Sequence, residues 1–285
     1  MSKKDKIWLI IATSLTVVGM TIFVIAMSIN KWDFSKLSTV DYNHGIYHIY
    51  DKFSNISVKS KTADVYFEIS DTDECSVVVH DQDNLRYTVE VKGDTLVIDV
   101  VDERKWYEHI YISFERHKIY VSVPEEYYLS AVKAKASTGD IHMTDMIVDD
   151  IDLSVSTGNI FISNVDCKKN IKTEVSTGDT KINDSKSRNF ISDGSTGDVQ
   201  LSNVIVEGML SIERSTGDVK FTRCDAGEIY VETSTGDITG SLLRNMSFYV
   251  EADTGDVELP DWETSATGRG DLITGTGDIK ITIAD

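Results

Sequence analysis

Apolar residues return to the same place in this chain about every 20 positions. The pattern is anchored by eight Thr-Gly-Asp/Asn turns with glycines at Gly139, Gly158, Gly178, Gly197, Gly217, Gly236, Gly255 and Gly277, spaced 19, 20, 19, 20, 19, 19 and 22 residues apart. Two positions after each glycine stand Ile141, Ile160, Thr180, Val199, Val219, Ile238, Val257 and Ile279. Four after it stand Met143, Ile162, Ile182, Leu201, Phe221, Gly240, Leu259 and Ile281. Seven before it are Val132, Ile151, Ile171, Phe190, Leu210, Ile229 and Phe248, and five before it Ala134, Leu153, Thr173, Ser192, Ile212, Val231 and Val250. Asp152, Lys172, Ser211, Tyr230 and Tyr249 alternate with these, as on a strand with one wet face. Each period therefore predicts two strands joined by a glycine turn.

A unit of two short strands cannot bury its own apolar face and must stack on its neighbours. The predicted fold is all-β, a single-stranded parallel β-solenoid (β-helix) with about 20 residues per coil. The frames of leucine-rich, hexapeptide and calcium-binding nonapeptide repeats are missing from the sequence. Glycine permits positive φ at the bend, and the flanking Ser, Thr and Asp side chains are expected to bond the local backbone. At roughly 4.8 Å per coil, eight turns span on the order of 40 Å.

The frame reaches upstream. Lys61-Thr62-Ala63-Asp64, with Val65, Phe67, Ile56 and Val58 in the apolar columns, reads as an early coil. Between it and Val132 lies a β-rich insert: Cys75 to Val79, Leu85 to Val91, a hairpin turn at Lys92-Gly93-Asp94-Thr95, Leu96 to Val101, and Ile110 to Val123 ending at Pro124.

One span interrupts the β pattern. Ile7 to Ile29 is 23 residues without a charge, preceded by Lys3, Lys4 and Lys6, long enough to cross a bilayer. An uncleaved signal anchor is favoured over a signal peptide cut near Ala26 and Ser28, whose apolar region would be shorter. The organisation expected is residues 1–6 cytoplasmic, 7–29 a transmembrane signal anchor, 30–45 a juxtamembrane linker and 46–285 the β-solenoid, with the β-rich insert at 73–123 and regular Ser-Thr-Gly-Asp coils over 132–285. The basic flank puts the solenoid outside a single-pass cell-membrane anchor, although Lys31 and Lys36 oppose that orientation.

Charge removes one class of partner. The formal net charge is −19, and −21 without Lys3, Lys4, Asp5 and Lys6, which together carry +2. Such a field repels phosphate backbones, so no nucleic-acid partner is expected. Cys75, Cys167 and Cys224 have no metal-ligand spacing, and Cys224 falls seven after its glycine with Met146, Val165, Val204, Leu243 and Trp262, as a small core residue. Cys167 and Cys224 are too many coils apart for a disulfide.

The conspicuous chemical candidate is the column Asp140, Asn159, Asp179, Asp198, Asp218, Asp237, Asp256 and Asp278. Stacked carboxylates could be relieved by calcium, or each could accept backbone N–H bonds within its own turn or splay into solvent. The second reading is preferred, so no metal and no cofactor are expected. His44 and His48 lie in an alternating stretch that suits a strand. The acidic runs Asp71 to Glu74 and Asp149 to Asp152 lack the glycine and distal glutamate of a calcium loop and read as exposed turns. The repeated serines lack a singular histidine partner, since only His142 falls in the regular coils. Trp106, Tyr107, Tyr111 and Tyr120, or the outward Tyr230 and Tyr249, could stack sugars, but packing between hairpins is favoured.

The apolar span, the β-rich lead-in, Val121-Ser122-Val123-Pro124 with Tyr128 to Ala136, and the serial Ser-Thr-Gly-Asp coils together resemble the bacterial DUF4097 family of adhesin-like and LiaG-like envelope proteins, over nearly everything after residue 45. The resemblance implies a cell-envelope protein, sometimes tied to envelope stress, and carries no catalytic residues over. Asn159, Thr180 and the 22-residue last interval depart from the simplest pattern and mark an irregularity near the C-terminal end. The reading is of a non-enzymatic, membrane-anchored, outward-facing scaffold whose partner is an envelope polymer or a protein, for adhesion or stress response. The alternatives are a carbohydrate-active β-helix enzyme, which needs a cluster of carboxylates breaking the repeat, and a cytoplasm-facing partner of a membrane sensor.

Overall fold

A computed structural model describes residues 2–32, 43–81, 85–103, 117–261 and 266–284. Contacts divide the chain into two units, residues 1–42 with 104–116, and residues 43–103 with 117–285.

In the first unit the described element is one α-helix, Lys3–Ile29. It starts on a capping box: the Asp5 N–H donates to Ser2 Oγ at 3.2 Å and the Ser2 N–H to Asp5 Oδ2 at 2.8 Å. Thr16 and Thr21 donate their hydroxyls to the carbonyls of Ala12 and Val17, which lets two polar groups sit on an apolar helix. Its length and hydropathy of 2.4 suffice to cross a membrane, as a single-pass anchor or as a signal sequence.

The second unit is a stack of parallel coils. In the Gly158 coil, Ile147–Thr157 lies in one sheet, the chain turns at the glycine, and Ile160–Ser163 lies in the opposite sheet. Ile151, Leu153, Ile160 and Ile162 point between the sheets and are buried. Neighbouring coils pair like against like: Ile160 with Ile141 and Thr180, and Ile162 with Met143 and Ile182. Burying each such side chain contributes about 1.5–3 kcal/mol. The aliphatic rows form one continuous core from Phe53 to Ile281. A short third strand, Asp166–Cys167 or Lys186–Ser187, returns each of these coils to the first sheet, an element the two-strand reading missed.

Stacking order departs from chain order at both ends. Asn55–Ser60 and Asp64–Ile69 form the early coil, but Leu129–Thr138 lies on one side of Asn55–Ser60 and Thr95–Asp102 on the other. Lys118–Val123 likewise flanks Asp64–Ile69. The region expected as an insert thus supplies the outermost parallel coil. Antiparallel strands extend it: Cys75–Asp81 and Asn43–Ile49 in one sheet, Leu85–Lys92 in the other. The expected strand from Ile110 falls partly outside the described residues.

At the other end, Val219–Thr235 pairs with Arg269–Thr276, which pairs with Ser247–Thr254. Ile238–Leu242 pairs with Ile279–Ile283, which pairs with Val257–Glu258. The last coil in sequence therefore lies between the Gly236 and Gly255 coils. The register also slips after Phe221, so that Leu242 faces Cys224 and is buried while Leu243 is exposed. Leu243 is not in the inward column as expected. Gly240 accompanies the slip, with φ +135 and a Cβ position 1.9 Å from the Phe221 carbonyl oxygen.

Candidate functional site

The repeated turn is the obvious candidate, and the fold itself consumes much of its chemistry. The eight turn glycines have φ between +128 and +152. A Cβ at Gly178 would fall 2.0 Å from the Gly158 carbonyl oxygen, because every turn glycine from Gly158 onward is seated on the glycine of a neighbouring coil.

The aspartates bond across coils, not within their own turns as expected. The N–H of Asn159 donates to Asp140 Oδ1 at 2.7 Å, that of Asp179 to Asn159 Oδ1 at 2.8 Å and that of Asp198 to Asp179 Oδ1 at 3.0 Å. The ladder continues through Asp218 to Asp198 and Asp237 to Asp218, at 2.9 and 2.8 Å. It begins on Asp64, which accepts from the Asp140 N–H at 2.9 Å. At its far end Asp278 donates to Asp237 and Asp256 donates to Asp278. The amide of Asp256 and the ammonium of Lys280 hold the Asp278 carboxyl below its ordinary range. Among the described residues no group of three or more His, Cys, Asp or Glu is placed to hold a metal ion. The turn serines and threonines, such as Ser156 and Thr157, stay exposed and take no part in this ladder.

A second corner went unnoticed in the sequence. Asp145, Asn164, Asp184, Asn203 and Arg223, each six residues past a glycine, have φ of 58, 54, 48, 53 and 53. Asp and Asn tolerate this left-handed conformation better than other side chains, and their recurrence in one column was a legible signal. Asn164 Nδ2 donates to Asp145 Oδ1 at 2.6 Å, and Asn203 Nδ2 to Asp184 Oδ1 at 2.9 Å. Beside this row runs a groove of about 500 Å³ across four coils. Its floor column reads Ile147, Asp166, Lys186, Ile205, with both isoleucines exposed and Lys186 Nζ 2.9 Å from Asp166 Oδ2.

The outer face of the second sheet carries a row of stacked rings: Tyr120, Tyr66, His142 and Phe161, with centroids 4.8, 4.6 and 4.7 Å apart. Lys118 Nζ lies 5.7 Å from the Tyr66 centroid. Neighbouring rings cover each other's faces, so the row offers edges rather than a platform for a sugar. Trp106, Tyr107 and Tyr111 lie outside the described residues. Tyr230 and Tyr249 do not adjoin, since both pair in register with Asp271. His44 and His48 belong to the strand Asn43–Ile49, and His48 Nδ1 lies 3.2 Å from Glu74 Oε2. Asp71 to Glu74 is exposed, while Asp149 and Asp152 pair with Lys169 and Lys133 at 3.0 and 2.6 Å.

Inside the stack sits one charge that the pattern did not announce. Arg214 is 4 % exposed. It donates to Ser192 Oγ at 2.8 Å, the Ser192 carbonyl at 3.2 Å, Thr180 Oγ1 at 3.3 Å and the Glu213 carbonyl at 2.9 Å. Among the described residues its Nε has no partner. Burial pulls the guanidinium down to about 10, against the opposing pull of Asp193. Gly194 makes the room, since a Cβ there would meet Arg214 Nη1 at 2.8 Å. The three cysteines are free and buried, and burial pushes the thiols of Cys75 and Cys167 up to about 11.

The profile of a family described as Toastrack DUF4097 matches residues 53–209 and 208–284. No curated protein matches the chain. Among solved structures, one from Bacteroides fragilis described as a "putative adhesin" is 17 % identical, with a TM-score of 0.57 over 85 % of this chain and 97 % of that one. One from Parabacteroides distasonis described as a "putative lipid binding protein" is 18 % identical, with a TM-score of 0.54 over 84 % of this chain and 97 % of that one. At these identities the likeness concerns the fold.

Proposed function

This chain belongs to the Toastrack DUF4097 family, and from that membership we propose that it is a non-enzymatic scaffold of the bacterial envelope, held by its N-terminal helix with the solenoid facing outward. The observation that carries this reading is the repetition of chemistry from coil to coil. The turn carboxylates are engaged in one another's backbone, and the exposed Ser-Thr pairs recur down the same edge. An enzyme needs a singular constellation of nucleophile, base and electrostatic partner, whereas a solenoid of like coils offers an extended repetitive surface to a polymer or another protein. Adhesion or a part in envelope stress is the role such a surface would serve.

Topology is the part most directly tested. Ser215 is exposed and the native cysteines are buried, so Ser215→Cys on intact cells should react with a membrane-impermeant maleimide. Labelling seen only after lysis would place the solenoid in the cytoplasm and favour a sensor partner instead.

A further inference from the structure

The two ends of the stack are finished differently. Beyond the outermost parallel coil at one end, the antiparallel strands Leu85–Lys92 and Cys75–Asp81 continue the sheets, and their Leu85, Tyr87, Val77 and Val79 are still buried. At the other end Ser247–Thr254 and Val257–Glu258 lie outermost, and the inward columns come to the surface. Val257 is 47 % exposed where Ile279, its neighbour in register, is fully buried, and Leu259 is 37 % exposed. Phe248, Val250 and Ala252 are only partly buried.

The hydrogen bonding of this end is open as well. In the coil beneath, the N–H groups of Gly277 and Ile279 donate to the carbonyls of Thr254 and Asp256, both at 2.9 Å. Among the described residues the equivalent N–H groups of Gly255 and Val257 meet no acceptor, and Asp256 Oδ1, where the aspartate ladder stops, receives no N–H.

We propose that this end is a docking edge for an extended, basic segment of another protein, which adds a strand beside Ser247–Thr254. Edge addition draws affinity from main-chain groups and specificity from alternate side chains. The exposed columns ask for apolar residues at every second position, to cover Phe248, Val250 and Ala252. Charge selects the residues between them. Residues 247–261 carry Glu251, Asp253, Asp256, Glu258 and Asp261 and no Lys, Arg or His, and Lys280 of the coil beneath approaches Glu258 at 4.0 Å. A second copy presenting the same end would set these carboxylates against their own kind, whereas a strand alternating apolar residues with Lys or Arg brings cations beside Glu251 and Asp253. The contact belongs to the end of the stack and not to its repeated faces, so it stands apart from the topology and the role proposed above.

Hydrogen–deuterium exchange of the full chain in detergent micelles tests this with a synthetic peptide alternating Val and Lys, of the same eight-residue length as Ser247–Thr254. Exchange across residues 247–258 should slow about tenfold at saturating peptide, with no change in Leu85–Lys92, and the protection should weaken as salt is raised. Peptides alternating Val with Glu, or made of Lys alone, should give none. Glu251 is exposed, so Glu251→Lys should keep the parent melting temperature and lose most of the protection. The peptide comparison is made on the parent chain and does not depend on how that variant folds. The proposal is overturned if the Val-Lys peptide leaves residues 247–258 unprotected, or if the Val-Glu or Lys-only peptide protects them equally. It is overturned too if Leu85–Lys92 is protected to the same extent, or if a folded Glu251→Lys chain is protected as well as the parent.

Discussion

The backbone N–H of Asp278 donates to Oδ1 of Asp237 at 2.7 Å, across 41 positions of sequence, while the nearer Asp256 bonds to the far side of Asp278. Chain order would have stacked Gly255 on Gly236. Instead the C-terminal coil is clamped on both faces, and the early coil at Asp64 is clamped likewise between residues 118–123 and 141–144. Terminal strands of a linear stack ordinarily fray, because they have one neighbour and an open edge. Here the outermost parallel positions fall to Thr95–Asp102 with Lys118–Val123 at one end and Ser247–Thr254 with Val257–Glu258 at the other, and the Ser247–Thr254 strand has no fully buried residue.

The turn glycines should be the least replaceable positions. Gly197→Ala puts a methyl 2.0 Å from the Gly178 carbonyl oxygen at φ +128, and a backbone atom cannot rotate away. We expect a loss of more than about 3 kcal/mol. Gly93, at φ +63 in a hairpin with nothing within 4 Å, should cost only about 1–2 kcal/mol as alanine. Denaturant unfolding of the two variants checks the contrast, and equal losses would show that stacking does not set the requirement.

The aspartate ladder separates acceptor from charge. Asp198 Oδ1 accepts the Asp218 N–H at 2.9 Å, and Asn159 already fills the same role for Asp179 at 2.8 Å. Asp198→Asn should therefore change stability by less than about 0.5 kcal/mol, and Asp198→Ala should lose about 1–2 kcal/mol by leaving the Asp218 amide unpaired. Millimolar calcium should leave the melting temperature of the parent chain unmoved. A rise of several degrees that Asp198→Asn abolishes would restore the column as a cation site.

The apolar columns and the glycine period were legible because every coil repeats the same steric demand, a small turn residue over a row of aliphatic side chains. The order of the last coils was not. Ile238, Val257 and Ile279 follow the same Thr-Gly-Asp turn, so spacing alone cannot say which coil stacks on which. Only the pairing of bulky Phe248 against Gly270 betrays it. Tyr66, His142 and Phe161 shared a column in the sequence, but Tyr120 joined them through a segment whose position the period could not fix. Arg214 was hidden differently: its column holds Val155, Val175 and Gly194, and a missing side chain one coil earlier marked where a large polar one would lie.

Arg214 is expected to be more costly than an apolar residue would be. Its acceptors are neutral hydroxyls and carbonyls, with no carboxylate in hydrogen-bond contact among the described residues. Arg214→Met should be neutral or stabilising, by up to about 1–4 kcal/mol, as when other buried charges are replaced by well-packed side chains. Ser192→Ala, which strips the guanidinium of its 2.8 Å acceptor, should lose about 1–3 kcal/mol. If Arg214→Met destabilised the protein more than Ser192→Ala, the guanidinium would be stabilising the stack.

His142 gives the solenoid a weak pH dependence of known sign. Burial between Tyr66 and Phe161 holds its imidazole below the ordinary 6.5, although Asp140 and Asp64 favour the charged form; Lys118 acts with burial. The unfolded chain therefore binds a proton more readily than the folded one. The stability this group contributes is fully present above about 6.5 and declines as pH falls toward its folded value. Most carboxylates stay ionised between pH 7.5 and 5.5, so a melting temperature that drops across that window in the parent chain should hold flatter in His142→Phe, which keeps the ring row intact. A parallel decline in both proteins would assign the effect to other groups.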